Sequence, residues 1–182
     1  MVDEVTFIEQ LKDPLTKEKA FRELVSIYKE RLYWHIRKIV ISHDDADDVL
    51  QNTFLKIFRS INNFKQESQL FSWMYRIATN ESISFINKRA REQNLDISDF
   101  QQKLASNLDS DSLFTGNDIQ LILQKAVKRL PNKQQLVFNM KYFDNLKYRQ
   151  IAEILETSEG ALKASYFHAV KKIEDYIKNT AH

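Results

Sequence analysis

The stretch LKYRQIAEILETSEGALKASYFHAVKKI, residues 146–173, decides how the rest of the chain is read. Its apolar residues fall at helical steps in two runs, with Ile151, Ala152 and Leu155 on the first and Leu162, Tyr166, Ala169, Val170 and Ile173 on the second. That is the pattern of two amphipathic helices. Thr157, Ser158 and Glu159 form the break between them. A serine hydroxyl there accepts from an amide in the following first turn, and a glutamate beside it meets the positive end of the helix dipole. Ala152 supplies a small residue at the helix crossing and Leu162 a buried aliphatic, as a helix-turn-helix requires. The remaining face of the second helix carries Lys163, Ala164, Ser165, Phe167, His168 and Lys171. Small, polar and basic groups together suit the major groove of DNA. An ordinary helical hairpin with a solvated basic side fits the same pattern, so the rest of the chain has to choose.

The 182 residues, 43% of them hydrophobic, can bury one moderate core or two small ones. Two small helical domains are the preferred reading. The chain has only two glycines and two prolines and no sustained two-residue alternation, so sheets and tight hairpins have little to work with and an all-α fold follows. The absence of cysteine rules out a disulfide framework and thiolate metal sites, and suits a reducing cytoplasm. The N-terminal MVDEVTFIEQL begins acidic and lacks the basic flank and apolar core of a secretory signal, and no run reaches membrane-spanning length. A cytoplasmic protein without direct membrane insertion is the expectation.

Enzymatic chemistry finds little support. Gly116 and Gly160 are too far apart to form a phosphate-cradling loop, and His35, His43, His168 and His182 lack the paired helical spacing of metal ligands. The cluster Asp44, Asp45, Asp47 and Asp48 could suggest a divalent metal, but its place at the start of a periodic helix explains it better through the helix dipole. No catalytic residue, metal or cofactor is expected.

Charge divides the chain into three parts. Residues 1–91 carry a net +2, residues 92–118 a net −5, and residues 119–182 a net +5. The middle part, rich in Asp, Ser, Asn and Gln, reads as a flexible acidic linker with room for short helical turns around Leu104.

The N-terminal part has its own signature in DADDVLQNTFLKIFRSI, where Ala46, Val49, Leu50, Thr53, Phe54, Ile57, Phe58 and Ile61 recur at three- and four-residue steps. Asp47, Asp48, Gln51, Asn52, Lys56 and Arg59 occupy the other face, which is either solvated or docks a partner. Next, a polar loop with Lys65, Gln66, Glu67 and Ser68 leads into Phe71, Trp73, Tyr75 and Arg76, with Asn80 following and Lys88, Arg89 and Arg91 at the end of the helix. Aromatic faces can stack unpaired bases for about 1–3 kcal/mol each, and Asn80 can reach a base edge. The competing reading places Phe71, Trp73, Met74, Ile77 and Ala78 in the core, and about half of these aromatics are expected to be structural.

DADDVLQNTFLKIF, FSWMYRIATN and the terminal helix-turn-helix, in that order around an acidic linker, resemble a bacterial extracytoplasmic function (ECF) sigma factor of the sigma-70 family. The resemblance runs from about Ala20 to Ile177, as the form with sigma domains two and four, and TSEGALKASYFHAVKKIE is similar to Bacteroidetes members. It implies domain two at 1–91, a linker at 92–118 and domain four at 119–182. It further implies docking on the beta-prime clamp helices of RNA polymerase core through Asp48, Gln51, Asn52 and Lys56. Recognition and melting of the minus-ten element would fall to Lys65, Ser68, Phe71, Trp73, Arg76 and Asn80, with Lys88 and Arg89 toward phosphate. The minus-thirty-five element would meet Ser158, Gly160, Lys163, Ala164, Ser165, Phe167, His168 and Lys171 in its major groove, with Tyr148 and Arg149 touching phosphate. The beta flap and an anti-sigma factor complete the implied partners.

Three departures from the family pattern limit this carry-over. Glu156 replaces the usual turn glycine, Ser165 and His168 stand where arginine is common, and Thr79 stands where a basic residue is common. The alternatives are a stand-alone dimeric helix-turn-helix regulator, with palindromic sites, and a helical adaptor.

Overall fold

The structure, a computed structural model, describes residues 3–106 and 118–180; the central linker stretch 107–117, with Gly116, and His182 lie outside the described residues. The chain divides into two compact units, Met1–Ser84 and Phe85–His182. Among the described residues every regular element is helical, as expected from the scarcity of turn-forming residues.

In the first unit, helix α1 spans Glu4–Lys12 and α2 spans Lys17–Val40. Asp3 caps α1, accepting from the Thr6 amide at 3.0 Å and the Thr6 hydroxyl at 2.8 Å. These bonds to its charged form hold the Asp3 carboxyl below its ordinary value, the Thr6 amide contributing most. The chain leaves α2 through a γ-turn, in which Ser42 donates to the Val40 carbonyl at 2.9 Å and Ile41 takes φ 70°. Ser42 then caps α3, His43–Ser60, through the Asp45 amide at 3.4 Å, with Asp44 and Asp45 in the first turn. The acidic cluster therefore marks a helix start. Ala46, Val49, Leu50, Thr53, Phe54 and Ile57 are buried on one side of α3, the stripe that its three- and four-residue steps predict. A single 3₁₀ turn, Ile61–Asn63, and the loop after it lead to α4, Leu70–Glu92, whose residues 85–92 belong to the second unit.

In the second unit, α5 covers Ile97–Ser106, inside the segment expected as linker. Asp96 starts it, accepting from the Asp99 amide at 3.2 Å and the Ser98 hydroxyl at 2.9 Å, and Phe100 is buried. Three apolar residues at 97, 100 and 104 give this helix a side to pack, a faint signal inside an acidic, amide-rich stretch. Helices α6 (Asp118–Lys128) and α7 (Asn132–Phe138), a π-helical turn (Asn139–Phe143), α8 (Tyr148–Leu155) and α9 (Glu159–Thr180) follow. Ala126, Val127, Leu130, Phe138, Ala169 and Ile173 form one core, with Tyr166 and Val170 packed against it.

The turn between α8 and α9 differs in detail from the sequence expectation. Glu159 is the first residue of α9, so the break consists of Glu156, Thr157 and Ser158. On α8, Ile151 and Ile154 are the buried pair, while Ala152 and Leu155 are half-buried. In a helix of eight residues the i, i+3 step sets the inner face, and the i, i+4 choice that favoured Leu155 is displaced by one position. Ser158 caps α9 as expected, accepting from the Ala161 amide at 3.2 Å.

Candidate nucleic-acid interface

The outer face of α3 presents Asp48, Gln51, Asn52 and Lys56, all exposed. Lys56 is not a free cation: its Nζ lies 2.6 Å from Glu81 Oε1 on α4. Between these polar groups Leu55 stands 47% exposed, an apolar centre inside a polar rim. Sequence reading passed over it, although its position four residues after exposed Gln51 put it off the buried stripe.

The segment from Phe64 to Asn80 separates into surface and core. Lys65 and Asn80 are exposed, and Ser68, Trp73 and Arg76 are half-buried. Trp73, Arg76 and Asn80 follow one another at i, i+3 and i+7 and so share a side of α4. Trp73 rests on the Phe64 ring, with centroids 5.0 Å apart and a 37° tilt, which fixes its inner side and leaves part of the indole to solvent. Phe71 does not join this surface. It is 8% exposed, its ring 4.3 Å from Tyr75 and 6.4 Å from Tyr28, with the Arg31 guanidinium 4.3 Å above it. Phe71 and Tyr75 are thus structural, and the expectation that Phe71 offers a stacking face is corrected. In a run of four aromatic or apolar residues in five, helical spacing alone does not say which one turns outward.

Thr79, where the family has a basic residue, is buried and bonded to His35, Nε2 to Oγ1 2.9 Å. The Thr79 hydroxyl donates its one hydrogen to the Tyr75 carbonyl at 2.7 Å, so His35 Nε2 must donate to the hydroxyl. His35 is a packing residue. Further along α4, Lys88 and Arg89 are exposed and both approach Glu92, at 3.9 and 3.8 Å. That carboxylate offsets part of the basic charge in the last turns of the helix.

The second unit offers a more uniform surface. Gly160, Lys163, Ala164, Phe167, His168 and Lys171 are exposed on α9, and Ser165 is half-buried. Phe167 is 65% exposed and meets His168 edge-on at 5.7 Å. No acidic side chain interrupts the run from Gly160 to Lys172. A Cβ added at Gly160 would meet nothing within 4 Å, so the fold itself does not demand glycine there. Ser158 is occupied as the helix cap. At the start of α8, Tyr148 is half-buried beside Tyr166, with the Lys141 ammonium 5.0 Å and the Lys163 ammonium 5.8 Å from its ring. Desolvation raises the hydroxyl pKa of Tyr148 above its ordinary value. Arg149 is exposed and lies 3.7 Å from Glu153. Lys141 belongs to this cationic group although its position in the π-helical turn gave no sequence signal; only the fold brings it to Tyr148.

Among the described residues no helix is long and apolar enough to cross a membrane, and no group of three or more His, Cys, Asp or Glu is placed to hold a metal ion.

Two family models match the chain. The family model for Sigma-70 region 2 matches residues 24–92, and that for Sigma-70, region 4 matches residues 120–173. The ECF RNA polymerase sigma factor SigW of Bacillus subtilis is 27% identical over 154 residues, covering 80% of this chain and 82% of its own length. The ECF RNA polymerase sigma-E factor of Haemophilus influenzae is 28% identical over 188 residues, covering 93% and 97%. Two solved structures share the fold. CnrH, in complex with the cytosolic domain of CnrY, matches with a TM-score of 0.70 at 19% identity over 97% of each chain. The sigma factor RpoE of Bartonella quintana, in complex with the anti-sigma factor NepR, matches with a TM-score of 0.67 at 21% identity over 88% of this chain and 98% of its own. With both sigma regions matched in order on one chain and ECF sigma factors aligned over most of its length, the chain belongs to the sigma-70 family, within its extracytoplasmic function group.

Proposed function

We propose that this sigma factor works as a bipartite promoter reader whose two units are brought to DNA by RNA polymerase core. In this reading residues 1–91 act as domain two, 92–118 as linker and 119–182 as domain four. The outer face of α3, with Asp48, Gln51, Asn52 and Lys56 around Leu55, docks on the beta-prime clamp helices. A small apolar centre with a polar rim is the usual anatomy of a protein interface. Lys65, Ser68, Trp73, Arg76 and Asn80 receive the melted minus-ten strand, with a base against the open part of Trp73, and Lys88 and Arg89 lie toward phosphate. Helix α9 enters the major groove at minus thirty-five through Lys163, Ala164, Ser165, Phe167, His168 and Lys171. Tyr148, Arg149 and Lys141 take the flanking phosphates, and the beta flap holds the second unit.

The single observation that carries this reading is the presence on one chain, in order, of the segments matched by Sigma-70 region 2 and Sigma-70, region 4, each with a polar, solvent-facing surface. The protein performs no catalysis of its own, the polymerase doing so, and it acts in the cytoplasm. An anti-sigma factor is its regulatory partner, a role supported by the fold neighbour RpoE, solved with the anti-sigma factor NepR. Run-off transcription with bacterial core polymerase on genomic fragments tests the whole reading. Discrete, sigma-dependent transcripts are expected; core polymerase that gains no promoter specificity from the added chain would refute it.

A further inference from the structure

The loop between Phe64 and Leu70 faces solvent: Lys65, Gln66, Glu67 and Gln69 are exposed and Ser68 half-buried. Five residues of that composition have little of their own to fix the loop's shape. Its two ends are nevertheless fastened, and by the same element. Lys12 Nζ donates to the Phe64 carbonyl at 2.6 Å, and the Leu70 amide donates to Glu4 Oε1 at 3.0 Å. These contacts span 52 and 66 positions of sequence and both are partly buried, where a charged partner is less screened than at the open surface.

Helix α1 is built to hold this span. Asp3 caps it, and Ile8 and Leu11, 2% and 0% exposed, bury its inner face. Glu4 and Lys12 sit eight residues apart, about 12 Å along the helix axis. Each meets the end whose chemistry it complements. Leu70 opens α4, so its amide has no partner within the helix, and a carboxylate there also matches the positive end of the dipole. Phe64 presents a carbonyl at the close of the 3₁₀ turn, and the ammonium takes it. Lys12 Nζ is also 6.0 Å from the centre of the Phe64 ring on which Trp73 rests. The same lysine therefore touches the loop backbone and the support of the candidate base platform.

We propose that α1 is a positioning helix for the promoter-reading loop, Lys12 holding its start and Glu4 its end, so that Ser68 and Trp73 keep one register toward the melted strand. The inference rests on the minus-ten reading given above. Neither residue touches a base; both act through the backbone of Phe64 and Leu70. A loop held at both ends is pre-organised for its ligand, and loss of one hold lets the base-facing groups wander by distances that matter for selective recognition.

The test uses holoenzyme made with the full-length chain and a promoter library randomised over the minus-ten element, transcribed as duplex and sequenced, with a second library randomised over the minus-thirty-five element. Lys12→Met and Glu4→Leu remove the holds; Lys12→Arg keeps a donor. The expected result is a roughly tenfold fall in the ratio of favoured to disfavoured minus-ten bases for the first two variants, equivalent to about 1.4 kcal/mol of lost discrimination. Minus-thirty-five preference and the yield of complex with core should stay at the wild-type level, and Lys12→Arg should restore most of the ratio. A uniform loss of transcription across all minus-ten sequences, or unchanged ratios, would overturn the proposal by reducing α1 to a structural brace. Ser68→Ala and Trp73→Ala, run in the same library, separate the two levels. If they flatten the preference while the α1 variants do not, only the positioning role falls; if they too leave it intact, the loop reading falls and the positioning role with it.

Discussion

Glu156 holds the left-handed turn between the two helices of the DNA-binding motif, with φ 51° and ψ 48°, where the family pattern has glycine. A side chain in that conformation costs on the order of 1 kcal/mol that glycine avoids. Glu156→Gly should raise the stability of the second unit by up to about that amount, read as a shift in the denaturant midpoint at unchanged slope. Lys147 is a similar case. Its amide donates to Gln150 Oε1 at 3.0 Å, half of a capping box, but an ammonium has no lone pair with which to accept the reciprocal bond. Lys147→Ser should complete the box and add about 0.5–1 kcal/mol, measured by the same titration. At Asp3 the folded pKa lies below the ordinary 3.8, the Thr6 amide being the main cause. Its cap is therefore fully formed above that pH and lost as pH falls through the depressed value. Acid titration followed at the Thr6 amide by NMR should show α1 fraying only below the ordinary carboxylate range. Trp73→Ala, which removes the candidate base platform, should impair opening of duplex promoters more than transcription from premelted ones. Equal loss on both templates would mark a folding defect.

At the scale of elements, what the sequence disclosed followed the strength of its patterns. Helix α9 repeats its apolar step from Leu162 to Ile173 across three turns, and its outer face was legible apart from Ser165, which is half-buried. Helix α3 was legible for the same reason, except that Leu55 broke the pattern and so looked incidental. Leu55→Asp should weaken binding to core polymerase by about tenfold or more while leaving the melting temperature of the free protein near wild type, because an exposed position carries little folding energy. Phe71 went astray because its neighbours are also aromatic or apolar, and tertiary packing with Tyr28, Arg31 and Tyr75 chose the inward ring. Helix α5 hid in an acidic, amide-rich segment where only Ile97, Phe100 and Leu104 signal a packed side. The holds of α1 on the Phe64–Leu70 loop were invisible for a different reason: they join residues more than fifty positions apart, and no local pattern records them.

For the whole molecule, the uneven charge has a mechanical meaning. The second unit combines an exposed α9 face with few cations, chiefly Lys163 and Lys171, and a small cationic group around Tyr148. Non-specific affinity for duplex DNA grows with the number of phosphates neutralised, so this surface by itself offers little of it. Ser165 and His168, where arginines are common in the family, reduce it further. In the proposed reading another body holds such a chain on DNA and docks on the α3 surface. The measurement that tests this most directly is a mobility-shift titration of one promoter fragment with the isolated chain and with the chain plus core polymerase. Weak, salt-sensitive binding by the chain alone and tight binding as a one-to-one complex with core are predicted; tight, sequence-specific binding by the isolated chain as a twofold dimer would contradict it.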